Sequence, residues 1–224
     1  TFKKIWWRLL FASYALVYLP WFFFLESKIT MDYPNLHIIN GPLDDMIPFC
    51  EVFIIPYFLW FAYIVASCVI MVLKADNQEF IRFALSLIIG MSLCMVICMV
   101  YPNGLTLRPD TLPDNAFGRL VAGLYATDTP TNVFPSIHVY NSIAVHTALS
   151  KCKTLKNHKG LLTGSLILCI LICMSTVFLK QHSLYDVGGA FVLMGVMYYV
   201  LYILPERRAQ RQAENEKHYA SADE

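Results

Sequence analysis

Long apolar segments alternate with short polar segments along the 224-residue chain. A helix that crosses a bilayer needs about 20 mostly apolar residues, because the hydrocarbon core is about 30 Å thick and a helix rises about 1.5 Å per residue. Five segments meet this requirement, at residues 5–25, 52–73, 80–101, 160–180 and 184–204. We read the first as a retained span rather than a cleaved signal, so the pattern predicts five membrane-spanning helices.

A sixth candidate helix runs from about Pro135 to about Ser150 and is both shorter and more polar than the other five. Its polar residues are His138, Asn141, Ser142, His146 and Thr147. Polar side chains are costly against lipid and usually face the interior of a helix bundle. We therefore expect a sixth span that the other helices surround. The predicted fold class is an all-α integral membrane protein, a six-transmembrane-helix bundle.

The basic residues test this topology, because cytoplasmic loops are enriched in Lys and Arg. Of the 17 basic residues, 13 fall in the N-terminus, two alternate loops and the tail, and 4 fall in the remaining segments. Both termini are therefore expected in the cytoplasm, in a multi-pass protein of the cell membrane. Residues 1–205 form the predicted membrane domain, and residues 206–224 form a charged cytoplasmic tail, expected as a frayed helix or disordered.

Composition supports the bilayer as the main partner. The chain is 57% hydrophobic and 15% charged, whereas soluble domains are about 25% charged. Its net charge of +1 gives no reason to expect a nucleic-acid partner, and nothing in the sequence defines an oligomeric state. Most cysteines lie in apolar segments, where we expect them to pack as small apolar residues.

Three short stretches carry the candidate chemistry, and the topology brings all three to the extracytoplasmic face. They are Leu107-Arg108-Pro109, Pro135-Ser136-Ile137-His138 and Lys180-Gln181-His182-Ser183-Leu184-Tyr185-Asp186. His182 and Asp186 are four residues apart and share a face if the helix has begun. A carboxylate beside one ring nitrogen fixes the tautomer and leaves the other nitrogen free to attack. The alternative interpretation is a structural His–Asp pair at a helix start.

The remaining residues of these stretches suit an anionic substrate. His138 lies in the first turn of its helix, with Pro135 near the first helical position, and helix N-termini favour anions. Ser136 offers a hydroxyl, Arg108 a fork of donors and Lys180 a point charge, although both cations could instead extend toward lipid headgroups. No Asp/Glu cluster of the Mg²⁺ type accompanies them. We therefore predict phosphoryl transfer with no metal and no cofactor.

These motifs resemble the signatures of the type 2 phosphatidic acid phosphatase superfamily. The chain matches the Arg-Pro end of the first signature, Pro-Ser-x-His of the second, and Ser175 with His182-x3-Asp186 of the third. Two signature cations are replaced, by Tyr101 and Thr176. This pattern is similar to the branch that contains inositol phosphorylceramide synthases. The resemblance implies a six-helix fold, with His182 as nucleophile and His138 as acid and base.

The leading hypothesis is a metal-independent membrane lipid phosphate phosphatase, a phosphoric monoester or pyrophosphate hydrolase with a phosphohistidine intermediate at the extracytoplasmic face. Its catalytic residues would be His182, His138 and Asp186, and Arg108, Ser136 and Lys180 would bind the substrate phosphate. The second hypothesis is a phosphotransferase that moves a phospho-headgroup to an alcohol acceptor. The third is a transporter or a non-catalytic lipid-binding protein, since intramembrane His and Asp also occur in proton relays.

Overall fold

The computed structural model describes residues 2–222 and shows a mostly helical chain. Thr1 of the predicted membrane domain and Asp223 and Glu224 of the predicted tail lie outside the described residues. In chain order the helices are α1 (Phe2–Leu9), α2 (Ala15–Lys28), α3 (Pro42–Asp45), α4 (Ile54–Lys74), α5 (Asn77–Val100), α6 (Ala116–Thr127), α7 (Ile137–Lys151), α8 (Lys159–Phe178), α9 (Leu184–Tyr198) and α10 (Leu204–Ala222).

Short elements join or extend these helices. They are 3₁₀ turns at Leu10–Tyr14, Glu51–Phe53 and Lys153–Leu155, a π-helical turn at Tyr199–Ile203, and two short strands, β1 (His37–Ile38) and β2 (Asn103–Gly104). The strands pair in parallel, with His37 opposite Asn103. This pairing joins the segment after α2 to the segment after α5, at one end of the helices.

Five helical segments in the described residues are long and apolar enough to cross a membrane. They are Trp6–Lys28, Glu51–Lys74, Asn77–Val100, Lys159–Phe178 and Leu184–Asn215, and they match the five apolar segments of the sequence. Large apolar side chains such as Leu16, Val100 and Val192 stay exposed on them. So much apolar surface needs a lipid environment, which indicates a membrane-embedded protein.

Helix α7 is the polar candidate span and lies at the centre of the helices. It packs against α4, α5, α8 and α9, and it buries Asn141 and Ser142 as well as Val139, Tyr140 and Val145. These contacts agree with the prediction that the other helices surround it. At 15 residues it is shorter than the about 20 residues that a span needs, so the count of six spans stays a prediction.

Side-chain caps set the starts of the helices that carry the site. Ser136 caps α7 and Ser183 caps α9, each by accepting a backbone N–H three residues later. The prediction that Pro135 lies near the first helical position is wrong, because Ser136 is the cap and Pro135 precedes it.

The described part of the tail is helical, as α10. The sequence predicted either a frayed helix or disorder for the tail, and the structure agrees with a helix.

The segments that join the helices gather at two ends. At one end, Lys180 bonds to the segment after α2 and Arg108 bonds to Gln181. At the other, Arg8 donates to the backbone carbonyls that end α4, and Lys153 pairs with Asp76 at 2.9 Å. This grouping is the one expected from the basic residues. The assignment of the second end to the cytoplasm stays a prediction.

Candidate active site

A cavity of about 390 Å³ lies between α2, α4 and α5 and reaches the start of α7. Its wall is largely aromatic and apolar, with Tyr18, Phe22, Trp60, Phe61 and Met95 among the lining residues. Its carboxyl, imidazole and amide side chains are those of Glu26, Asp128, Asn132, His138, Gln181 and His182. The cavity therefore combines an apolar wall, suited to a lipid, with two imidazoles from separate parts of the chain.

His182 and Asp186 lie side by side at the site. The His182 Nδ1 lies 3.4 Å from Oδ2 of Asp186, and both side chains are buried. The two residues do not share a helical face as the sequence spacing suggested, because α9 begins only at Leu184. Instead Ser183 and Asp186 form a capping box, in which the Ser183 N–H donates to Asp186 Oδ2 at 2.8 Å. The cap turns the carboxylate back toward His182.

His138 faces His182 across the cavity. The two ring centroids are 5.7 Å apart, close enough for one phosphate to contact both rings. The His138 ring also packs against Tyr57 and Trp60, with centroids at 4.7 and 4.5 Å. Its Nδ1 is buried without a hydrogen-bond partner in the described residues. The structure thus brings the two predicted catalytic histidines together.

Ser136 connects the starts of α7 and α9. Its side chain caps α7, and its backbone N–H donates to the carbonyl of Asp186 at 3.1 Å. The first N–H groups of α7, those of Ile137 and His138, have no acceptor within the helix, and both residues line the cavity. The geometry therefore offers backbone donors for an anion beside the two imidazoles.

Arg108 reaches the site through Gln181. Its guanidinium donates to Gln181 Oε1 at 2.5 Å and to the carbonyls of Asp128 and Tyr125 at 2.6 and 3.3 Å. It also lies over the Tyr125 ring, 4.3 Å from the centroid, and it does not line the cavity. These contacts favour a role in holding Gln181, and direct phosphate binding by Arg108 stays a prediction.

Lys180 points away from the cavity. Its ammonium donates to the carbonyls of Asp44 and Ile47, both at 2.6 Å, and its backbone φ is 53°, a left-handed conformation that helps the chain turn sharply after α8. Asp44 accepts the N–H of Leu184 at 2.7 Å. Lys180 and Asp44 therefore fasten residues 41–47 to the turn that carries His182, and phosphate binding by Lys180 stays a prediction.

Three residues that the sequence analysis did not select organise the polar part of the cavity. Asp128 Oδ2 accepts the Tyr57 hydroxyl at 3.0 Å and Gln181 Nε2 at 2.9 Å. Burial raises the pKa of the Asp128 carboxyl. Gln181 adjoins His182 in the stretch from Lys180 to Asp186, so its position in the sequence could have indicated a role in the site. Nothing in the sequence connects Tyr57 in α4 to Asp128, 71 residues later.

The two positions where the family signatures have cations are occupied differently here. Tyr101 stacks on His37, with centroids 4.1 Å apart, and is outside the cavity lining. Thr176 is buried, and its carbonyl accepts the N–H groups of both Gln181 and His182 at 3.0 Å. Thr176 thus holds the backbone of the candidate nucleophile rather than supplying charge.

The helices and the cavity define a membrane-embedded helical protein whose site pairs two histidines, one of them beside a buried aspartate. The sequence model of the PAP2 superfamily matches residues 79–210, more than half of the chain and the part that contains both histidines. The chain belongs to the PAP2 superfamily, whose members are typically phosphatases or phosphotransferases. Comparisons with curated proteins and with solved structures gave no match.

Proposed function

We propose that this protein takes the phosphoryl group of a membrane lipid onto His182 and passes it to water, as a lipid phosphatase at the extracytoplasmic face. The observation that carries the proposal is the placement of His138 and His182, 5.7 Å apart by ring centroids, in one cavity with an apolar wall. A phosphate held between the rings would meet a nucleophile on one side and a proton donor on the other.

The first step follows from the orientation of His182. With its Nδ1–H directed at Asp186, the Nε2 atom carries the lone pair and attacks phosphorus. An N–P bond forms and the P–O bond to the lipid alcohol breaks. His138 gives its proton to the departing oxygen, and the backbone N–H groups at the start of α7 stabilise the phosphoryl oxygens.

In the second step His182 Nε2 is the leaving atom and an acceptor oxygen attacks phosphorus. The proton of the acceptor passes to His138, and the N–P bond breaks to regenerate His182. Water as acceptor gives hydrolysis. An alcohol as acceptor gives phosphotransfer, the second candidate, and the carboxylate-rich polar lining of the cavity favours it because carboxylates can bind and orient a hydroxyl group.

Trapping the intermediate tests the proposal. The purified protein in vesicles is mixed with ³²P-labelled lipid and denatured within milliseconds, and the label is followed through acid and alkali. We expect label that is stable to alkali and lost in acid, as for a phosphohistidine, and absent from His182→Ala. His37→Ala is the matched control, because His37 is an exposed histidine of β1 and should keep the label. Full labelling of His182→Ala would refute the proposal.

A further inference from the structure

The two histidines of the site have different surroundings. Nδ1 of His182 lies 3.4 Å from a carboxylate oxygen of Asp186. In the described residues His138 has no such carboxylate, and its Nδ1 is buried without a hydrogen-bond partner. The proposed mechanism needs His138 in its protonated form, because a neutral imidazole that lost its remaining proton would become an anion. A buried charge is costly unless other groups stabilise it.

Two aromatic rings of α4 pack against the His138 imidazole. Tyr57 and Trp60 are three residues apart and so share a face of the helix. Their ring centroids lie 4.7 and 4.5 Å from that of His138. A cation within about 6 Å of a ring centroid is attracted to the electron-rich face, most strongly to that of tryptophan. Both distances therefore suit a protonated imidazole.

The burial of Nδ1 also shows which nitrogen of His138 meets the substrate. The residue lines the cavity while its Nδ1 is buried, so Nε2 is the nitrogen that faces a ligand. A proton on Nδ1 would lie within the aromatic packing, where an N–H group can donate to a ring face. Nδ1 can therefore keep its proton while Nε2 exchanges one with the substrate.

The indole of Trp60 is an expensive choice for packing alone. Its Nε1 is buried and has no hydrogen-bond partner in the part of the chain that the structure describes, and a buried unpaired donor destabilises a fold. A phenylalanine would supply an apolar ring without that donor. What the indole adds is a face that attracts a cation more strongly. This advantage favours a role for Trp60 in stabilising charge.

We infer that Trp60 and Tyr57 are positioning residues, which orient His138 and stabilise its protonated form by cation–π contact where no carboxylate does so. This inference rests on the proposed function. His138 Nε2 gives its proton to the lipid oxygen as the bond from His182 to phosphorus forms and the P–O bond breaks, which leaves a neutral imidazole with Nδ1–H. In the second step Nε2 takes a proton from the attacking water, and the positive charge returns to the aromatic contact.

Other titratable groups around His138 also influence its protonation, so the test must leave them unchanged. Those that line the cavity with it are Tyr18, Glu26, Tyr57, Cys94, Cys98, Asp128 and His182. On the helices packed against α7 there are also Cys173 of α8 and Asp186 of α9. A change confined to the electron density of the Trp60 ring alters none of these groups.

Fluorinated tryptophan, incorporated only at Trp60, makes such a change. One, two or three fluorine atoms on the indole withdraw electrons from its face and weaken the cation–π contact, while the shape of the ring stays nearly the same. The measurement is kcat/KM against pH with phosphatidic acid, whose alkaline limb reports the loss of the His138 proton. We expect this limb to move to lower pH with each fluorine. Trp60→Leu removes the ring and should move the limb by about one pH unit.

Trp21 with the same analogues is the matched control. Its Nε1 donates to the Met99 sulfur at 3.2 Å, and it is outside the cavity lining, so the limb should stay in place. An alkaline limb that stays at the wild-type pH throughout the fluorinated series at Trp60 would overturn the inference, whether or not Trp60→Leu folds.

A titration of the His138 ring without substrate separates this inference from the proposed function. ¹⁵N NMR of histidine-labelled protein follows the His138 proton directly, and the signal is assigned by its loss in His138→Gln. The protonated form should be lost at a lower pH with each fluorine at Trp60, and an unchanged titration would overturn the aromatic contact. Absence of acid-labile label on His182 in the wild type would instead reject the proposed function itself.

Discussion

Nδ1 of His182 lies 3.4 Å from Oδ2 of Asp186, slightly beyond an ordinary hydrogen bond. The same Oδ2 accepts the Ser183 N–H at 2.8 Å, so the carboxylate both caps α9 and faces the imidazole. One residue thereby couples the start of a helix to the orientation of the candidate nucleophile. Such contacts often shorten when substrate binds.

Asp186→Asn tests this coupling. Asparagine keeps an oxygen for the Ser183 N–H, so α9 should still begin at the same place. The neutral amide cannot stabilise the imidazolium or select the tautomer as a carboxylate does, and we expect kcat to fall about 100-fold or more with little change in KM. Kinetics on a lipid substrate, with thermal unfolding of the same sample, measure the two effects separately. A kcat within a factor of two of wild type would remove Asp186 from the mechanism.

Much of the fold follows from the sequence because bilayer-spanning segments have a length and an apolarity that are visible residue by residue. The proximity of His138 and His182 could also be predicted from the sequence, since each adjoins a helix start at the same end. The contacts of Lys180 and Arg108 could not be predicted. Both cations were assigned to phosphate, yet the structure directs them at backbone carbonyls and Gln181, and a residue type alone does not reveal which acceptor its side chain reaches.

Lys180→Met distinguishes phosphate binding from a structural role, in which Lys180 holds residues 41–47 against the turn that carries His182. Burial lowers the pKa of the Lys180 ammonium, and its two bonds to the Asp44 and Ile47 carbonyls offset that burial. Their loss should lower the free energy of unfolding by about 1–3 kcal/mol and speed hydrogen exchange at residues 41–47. The exposed Lys28, replaced in the same way, should change neither.

Inhibition by inorganic phosphate provides the second measurement on Lys180→Met. If the lysine only fastens residues 41–47, the inhibition constant of phosphate should stay within about twofold of wild type, since no phosphate contact is lost. An inhibition constant raised tenfold, with exchange at residues 41–47 unchanged, would return Lys180 to the phosphate site as the sequence analysis predicted.

Tyr57→Phe should shift the pH dependence of turnover. Burial raises the pKa of Asp128, and the hydrogen bond from Tyr57 lowers it. The other charged or titratable groups that interact electrostatically with Asp128 are Arg108, His182, Glu26 and Tyr18. Removing the Tyr57 hydroxyl therefore raises the pKa of Asp128 further. As the pH falls, the Asp128 carboxylate is then protonated at a higher pH than in wild type.

The measurement for Tyr57→Phe is kcat/KM against pH with a lipid phosphate as substrate. We expect the acid limb to move to higher pH, because the Asp128 carboxylate, which holds Gln181 beside His182, protonates at a higher pH. Tyr101→Phe, on the exposed tyrosine that stacks on His37, is the control. An acid limb at the same pH as in wild type would show that the ionised Asp128 carboxylate does not contribute to turnover.

Gly90 in α5 sits directly against the Tyr140 ring of α7, and a Cβ added there would lie 2.0 Å from a ring atom. The ring has little freedom to move, because its hydroxyl donates to the Ser86 carbonyl at 2.8 Å. Gly90→Ala should therefore separate the two helices and lower the free energy of unfolding by about 1–3 kcal/mol.

Gly195→Ala supplies the comparison, since a Cβ at that helical position meets nothing within 4 Å. It should leave stability unchanged or raise it by about 0.5–1 kcal/mol, because alanine has the higher helix propensity. Thermal unfolding in detergent, followed by helical circular dichroism, ranks the two variants. Because α7 carries His138 at its start, Gly90→Ala should also reduce turnover, whereas Gly195→Ala should not. Equal stability of the two variants would show that α5 and α7 are not packed as closely as the structure places them.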